Sequence, residues 1–435
     1  MPFNRQVAEN VICVYWKYVL LFTLMYVPIF DHLNSVPIQI WDEARLAINA
    51  SEMYSNGNYI VTYFDGTPDM WNTKPPLLIW LQVGFMKLIG LNELAMRLPS
   101  AIAACFVCLA LLFLSLRYLR SFWFGFIAVL VLITSNGYIE LHGTRTGDYD
   151  SLLTMLVTFG SFSFFAYCET RKNGFLYAFF VITAFAVLTK SVAGLLFLPA
   201  LFLYVVIQKE LVLLLKNKHL YFGILLFLIL VGSYYWLREV YNQGYLIAVY
   251  ENELGGRYLN PLEGHKHHWS YYYDNMVSYR YSIWFWFLPA GLIVGLFADD
   301  KKYRRLTLFS VLIVIVLFTI ISTAQTKLEW YDTPLYPFMA ILVSVALHFI
   351  FQSLTSKSKS YAAYLFLFCV LAVPYKKIFD KTHNPPMSNM QFYELTYYLK
   401  NALRGEFDVN NTHLLYSEYN PQNIFYVKAL NEKGI

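Results

Sequence analysis

The sequence predicts an all-α polytopic membrane protein, a bundle of about 11 transmembrane helices. Three observations carry that prediction. The chain of 435 residues is 58% hydrophobic and only 14% charged, where a soluble domain carries about 25% charged residues. Its apolar residues gather in runs long enough to take lipid as their solvent. Its Lys and Arg fall in short connections on alternate sides of those runs. The composition excludes an ordinary soluble enzyme, a disordered chain and a fibrous repeat. No basic tract predicts nucleic-acid binding.

The runs lie at 15–30, 98–116, 122–138, 151–168, 175–189, 191–208, 219–237, 283–298, 306–322, 334–352 and 360–374. Crossing a bilayer takes about 20 helical residues, so the shorter runs borrow flanking residues. A further run at 76–90 opens after two prolines and carries Lys87. It is too short to span and is expected to lie in the interface. With that run uncounted and the N-terminus inside, Arg117/Arg120, Arg171/Lys172, Lys209/Lys216/Lys218, Lys301/Lys302/Arg304/Arg305 and Lys357/Lys359 all fall on the inner side, as the positive-inside rule requires. The first run has no small-residue cleavage site after it and reads as a retained span.

The same frame sends 31–97, 139–150, 238–282 and 323–333 outward, and these hold 17 of the 28 Asp and Glu. Acids did not set the frame, so their segregation is a separate observation. The inner connections are expected to be little more than solvated basic turns. The transmembrane domain is read as 1–374. The remainder, 375–435, is expected to be a small extracytoplasmic α/β appendage, with a helix over 391–403 and short strands at 414–416 and 424–427. No internal repeat supports an inverted-repeat transporter. The five cysteines lie in or beside apolar runs, and Cys105 and Cys108 read as packing residues rather than as a metal or redox pair.

Chemistry-capable residues crowd the outward segments. Asp42 and Glu43 are adjacent carboxylates at a helix start, suited to general-base or metal work, and equally to complementing the helix dipole. Lys74 precedes two prolines at the membrane surface, where it suits a lipid phosphate or simple snorkelling. The stretch Glu140-Leu141-His142-Gly143-Thr144-Arg145-Thr146-Gly147-Asp148-Tyr149-Asp150 puts two carboxylates, a histidine and an arginine against a span. Charge there is costly unless paired or solvated, which favours a cavity. Lys190 sits in a tight outward turn, placed for an anionic headgroup or as an anchor. Arg257 follows two glycines and could clamp a phosphate. His265 heads a His-rich stretch, without the spacing of a structural zinc site, that could ligate a cation. Lys327 and Tyr331, four apart, offer a cation and a phenol on one helix face.

In this order the motifs resemble those of GT-C glycosyltransferases, in the group holding lipid A aminoarabinose transferases and protein O-mannosyltransferases. The likeness covers most of 1–350. It rests on Asp42-Glu43 after the first span, Lys74-Pro75, Asn92-Glu93-x-Ala95-x-Arg97-Leu98-Pro99-Ser100, Arg145-x-x-Asp148, Leu188-Thr189-Lys190-x-x-Ala193-Gly194, and Lys327-x-x-x-Tyr331-x-x-Pro334-x-x-Pro337. The resemblance implies a polyprenyl-phosphate sugar donor, a lipid or protein acceptor, and action on the extracytoplasmic side. It implies that Asp42 is the acceptor's base and that Glu43 seats the acceptor. Asp148, with Asp150 as its rival, would orient the acceptor or a cation. Lys74, Lys327 and Tyr331, with Arg257 and Lys190 as helpers, would hold the donor phosphate, and His265 would join the site. Thr73 stands where some aminoarabinose transferases carry an acidic metal ligand, so the requirement for a divalent cation stays open.

With no nucleophile standing out for a covalent intermediate, direct displacement with inversion is expected. The rival reading is a transporter or flippase of a lipid-linked sugar. It is disfavoured because ionisable residues gather in loops rather than at mid-membrane depth. A retained first span and loops without cysteine point to a bacterial inner membrane.

Overall fold

The computed structural model describes residues 5–255, 264–356, 360–387, 390–410, 412, 414 and 419–434. All eleven apolar runs are helical. Among the described residues, seven helices are long and apolar enough to cross a membrane: Glu93–Leu119, Tyr149–Thr170, Asn173–Leu195, Lys218–Tyr241, Lys301–Thr323, Glu329–Ser356 and Ser360–His383. The other four runs correspond to the shorter apolar helices Tyr15–Phe30, Phe122–Ile133, Leu198–Ile207 and Ser282–Leu296. A 10-residue helix rises only about 15 Å, half the hydrocarbon thickness.

Burial sorts the spans. The apolar window of Glu329–Ser356 is 89% buried, whereas that of Lys218–Tyr241 is 11% buried. The latter exposes Leu225, Leu228, Ile229 and Trp236, so its solvent is lipid. The Tyr336–Ser356 helix is the hub, packed by Phe122–Ile133, Phe287–Leu296, Lys301–Thr323 and Ser360–His383. A second group forms where Tyr149–Thr170 lies against Glu93–Leu114 and Asn173–Lys190. The 76–90 run forms the Leu77–Ile89 helix, which buries Leu78, Ile79, Val83 and Met86 and carries Lys87 in its last turn.

The connections expected on the inner side do meet, but not as bare basic turns. Arg171 pairs with Glu210 at 2.5 Å, and Arg305 with Glu169 at 2.8 Å and Glu210 at 3.3 Å. Tyr118 donates to Glu169, and Lys302 donates to the Tyr118 carbonyl. The two acids drew no notice in sequence because basic residues outnumber them there.

The tail docks on the opposite face. The helices Met390–Leu403 and Pro421–Lys433 pack together, and the second covers the Asp42–Asn56 helix. The strand expected at 424–427 is instead part of Pro421–Lys433. Its buried residues Phe425, Tyr426, Ala429 and Leu430 recur at helical spacing, and a four-residue apolar run cannot distinguish the two periods. Of the other expected strand, 414–416, residues 415 and 416 lie outside the described residues. The expected helix at 391–403 is present, and the Ser360–His383 helix runs past residue 374. Among the described residues the strands are Tyr63–Phe64 and Thr67–Pro68, paired antiparallel.

Candidate active site

The Asp42–Asn56 helix, the 69–76 strand-to-helix turn, the 139–150 loop, the end of Asn173–Lys190 and the segments around 265 and 330 surround one cavity of about 700 Å³. Its walls include Trp41, Asp42, Lys74, His142, Asp148, Asp150, Lys190, His265, Trp330 and Tyr331. A smaller apolar cavity of about 140 Å³ shares Lys74, Asp150, Lys190 and Tyr331 with it. That cavity continues between Leu153, Val157, Leu196, Leu317, Ile320 and Ile321. A polar chamber thus opens into an apolar groove, with two lysines and a phenol at the junction.

Each cation has a carboxylate. Lys190 Nζ lies 2.5 Å from Asp150 Oδ1 and 5.1 Å from the centroid of the Tyr331 ring. Lys74 Nζ lies 3.2 Å from Glu253 Oε1. Both pairs are largely buried. Asp148 caps the Tyr149–Thr170 helix without a side-chain capping bond. Its carboxylate is buried, and neither oxygen finds a hydrogen bond of good geometry. A ligand in the chamber would satisfy such acceptors.

Facing Asp148 is His142, whose Nδ1 stands 3.2 Å from Asp148 Oδ2 and 3.8 Å from Asp42 Oδ2. The imidazole stacks on Trp330 with ring centroids 3.5 Å apart. Burial pushes the His142 pKa down, but the Asp148 carboxylate outweighs it, with Asp42 and Asp150 adding, and the net value is raised to about 9. Burial pushes Asp148 up, but the facing His142 outweighs that and holds its pKa below the ordinary value. The imidazole is therefore a cation at neutral pH, held between two carboxylates. Trp41 (φ 72), His142 (φ 61) and Ser191 (φ 48) all adopt left-handed backbone. For a bulky residue such as Trp41 that costs on the order of 1–3 kcal/mol.

Two expected site residues are placed elsewhere. Glu43 does not line the chamber. Its buried carboxylate takes Arg97 Nε at 2.7 Å and Nη2 at 2.8 Å, and accepts the Gln39 and Gly147 amides. Glu43 therefore ties the Asp42–Asn56 helix to the 139–150 loop, instead of seating an acceptor. A Cβ on Gly147 would stand 2.9 Å from the Met96 carbonyl oxygen, so the loop's approach needs glycine there.

Lys327 lines neither cavity. Its ammonium donates to the carbonyls of Ala324 at 2.6 Å and His267 at 3.2 Å, and its amide donates to the His265 carbonyl. With the Lys266–Thr326 bridge, it pins the segment that brings His265 to the wall. Spacing alone could not reveal that backbone carbonyls occupy this charge. Arg257 lies outside the described residues.

His265 reaches the chamber, but the metal expectation gains no ligand set. Among the described residues, the group of three His, Cys, Asp or Glu ligand atoms lying within 4.8 Å of one another is Asp31, His32 and His383, not one that includes His265. The sequence assigns no site role to Trp41, Arg45, Trp71, Trp330 and Tyr419, and marks His142 only as part of its charged loop. His142 and Trp41 stood inside motifs that had been singled out, whereas Tyr419 carries no local signal.

Residues 73–236 match the family described as "Dolichyl-phosphate-mannose-protein mannosyltransferase". An uncharacterized protein of Aquifex aeolicus (strain VF5) is 26% identical over 361 residues, covering 81% of this chain and 68% of the relative. The fold is shared with ArnT from Cupriavidus metallidurans bound to undecaprenyl phosphate, at TM-score 0.75 and 15% identity, over 95% of this chain and 85% of that one. The Archaeoglobus fulgidus oligosaccharyltransferase in its apo form aligns at TM-score 0.59 and 12% identity, over 95% and 64% of the two chains. The chain is thus a multi-pass membrane protein with the GT-C fold, similar to ArnT and the protein mannosyltransferases. The family match over residues 73–236 supports glycosyltransferase activity.

Proposed function

We propose that this chain moves a sugar from a polyprenyl-phosphate donor to an acceptor at the extracytoplasmic face, by direct displacement with inversion. We place it in a bacterial inner membrane with its N-terminus in the cytoplasm. The observation that carries the reading is the junction of chamber and groove. A lipid-linked sugar needs an apolar channel for its prenyl chain, cations for its phosphate and a polar room for its sugar. Lys74, Lys190 and Tyr331 stand where those three meet. The bound undecaprenyl phosphate of ArnT, on the same fold, supports the donor class.

In this reading an acceptor hydroxyl or amine attacks C1 while polyprenyl phosphate leaves with the bonding electrons. Charge grows on the phosphate, where preformed cations in a water-poor site are most effective. Asp42, at the open end of the chamber with its side chain 56% exposed, takes the acceptor proton. The His142 imidazolium keeps Asp148 ionised and oriented. Lys190 and Lys74 start paired to Asp150 and Glu253, so their positions are fixed before the donor arrives.

The test is transfer from a radiolabelled polyprenyl-phosphate sugar in membranes carrying Asp42→Asn or Lys74→Ala. Loss of a general base costs about 10²–10⁴-fold, and a similar loss is expected for Lys74→Ala. Full transfer by both variants refutes the assignment. Movement of an unchanged lipid-linked sugar, without release of polyprenyl phosphate, would make the chain a flippase instead.

A further inference from the structure

The residue before Asp42 is held in a costly pose. Trp41 has φ 72 and ψ −117, a backbone region favoured by glycine, and the residue is 63% exposed at the chamber wall. Three bonds hold the turn around it. Ile40 donates its amide to the Tyr393 hydroxyl at 3.0 Å, Gln39 donates its amide to Glu43, and Arg45 donates its amide to the Trp41 carbonyl. One face of the indole is backed by Tyr419, with centroids 5.1 Å apart and planes 22° apart. Tyr419 in turn lies on Phe64 at 6.3 Å and 15°. The Arg45 guanidinium stands 4.4 Å from the Phe64 ring centroid and is itself clamped bidentate by the buried Asp69. The result is a rigid pile of three rings that leaves the indole exposed to the chamber. Trp71, 45% exposed, lines the same chamber.

We infer that Trp41 is the acceptor subsite and that the acceptor is a carbohydrate. The inference rests on the transferase reading above and names its acceptor class. A pyranose presents an apolar C–H face and a rim of hydroxyls. A flat exposed indole next to a carboxylate in the chain meets both, since the ring lies on Trp41 and one hydroxyl reaches Asp42. An extended peptide acceptor would instead be read mainly through backbone hydrogen bonds, and an aromatic pile supplies none. In the transfer, the acceptor O–H gives its proton to Asp42. The oxygen bonds to C1 of the donor sugar, and the C1–O bond to phosphate breaks, with polyprenyl phosphate departing.

The full chain in lipid nanodiscs is titrated with chitotriose, cellotriose, maltotriose and mannotriose, and contact is read by saturation-transfer NMR on the sugar ring protons. Undecaprenyl phosphate binding is measured in parallel. At least one trisaccharide is expected to receive saturation from the wild type, to weaken at least tenfold in Trp41→Ala, and to return in Trp41→Phe. Trp41→Gly removes the ring while suiting the backbone, so it should melt no lower than wild type and still lose the sugar. The inference is overturned if no trisaccharide receives saturation, if Trp41→Gly binds as well as wild type, or if empty nanodiscs give the same signal. Sugar-negative, undecaprenyl-phosphate-positive protein sinks this inference alone. Failure to bind undecaprenyl phosphate sinks the donor reading instead.

Discussion

Replacing Glu43 by Gln separates an anchor from a substrate contact. Glu43 and Arg97 are 1% and 0% exposed. Arg97 spends its remaining donors on the carbonyls of Leu33 at 2.6 Å, Val36 at 2.9 Å and Pro37 at 2.8 Å. Glutamine keeps the shape of Glu43 but leaves a buried guanidinium without its counter-charge, a change that costs about 3–5 kcal/mol. One kcal/mol moves Tm by roughly 2 °C in chains of a few hundred residues, so purified Glu43→Gln is expected to melt roughly 6–10 °C below wild type. Transfer should fall in step, because the Gly147 amide loses an ionised acceptor and the Asp148 loop loosens. The double variant Glu43→Leu/Arg97→Met should not regain the loss, since the Leu33 and Val36 carbonyls and two amides then lack partners while Pro37 keeps the Gln39 side chain, at about 1–3 kcal/mol for each that stays buried. Differential scanning fluorimetry in detergent reads the first effect, and single-turnover transfer reads the second. If Glu43→Gln keeps wild-type Tm but abolishes transfer, Glu43 acts on substrate and its assignment as an anchor is wrong.

Three further outcomes follow from the same geometry. The pKa of His142 is raised from 6.5 to about 9, so its contribution to stability is complete below pH 6.5 and disappears as pH rises through about 9. A shift of that size corresponds to about 3 kcal/mol. Tm should decline between about pH 6.5 and 9, transfer should fall as pH rises through about 9, and His142→Gln should flatten both; an unchanged profile contradicts the pairing. Lys190→Met strands the buried Asp150, so both stability and donor KM should suffer. Lys190→Met/Asp150→Leu should restore Tm but leave donor KM raised at least tenfold, whereas full recovery of KM would remove Lys190 from the phosphate site. Gly147→Ala forces its Cβ against the Met96 carbonyl, so kcat should fall at least tenfold; a silent variant would show that the loop has room to move.

The convergence of Asp42, Lys74, Asp148, Asp150, Lys190 and Tyr331 was legible because the membrane turns topology into geography. Loops on one face of a bundle are confined to one plane, so sorting acids by face already shortlists the site. The readings failed where a charge is spent internally. Glu43 and Lys327 look as available as Asp42 and Lys74 in the chain, but Arg97 consumes one and the carbonyls of Ala324 and His267 consume the other. The tail was misread at 424–427, where four apolar residues fit either period and only packing on the Asp42–Asn56 helix selects the helix.

By itself the sequence determined the solvent, the number of apolar runs and the face that carries the chemistry, because apolar length and Lys/Arg placement report on transfer from water to lipid one segment at a time. Only the tertiary structure decided which charges face the chamber, that His142 sits as a cation between carboxylates, and that a tail residue, Tyr419, backs the indole beside Asp42. Those outcomes depend on distances between residues hundreds of positions apart, and pairwise electrostatics and stacking act through space rather than along the chain.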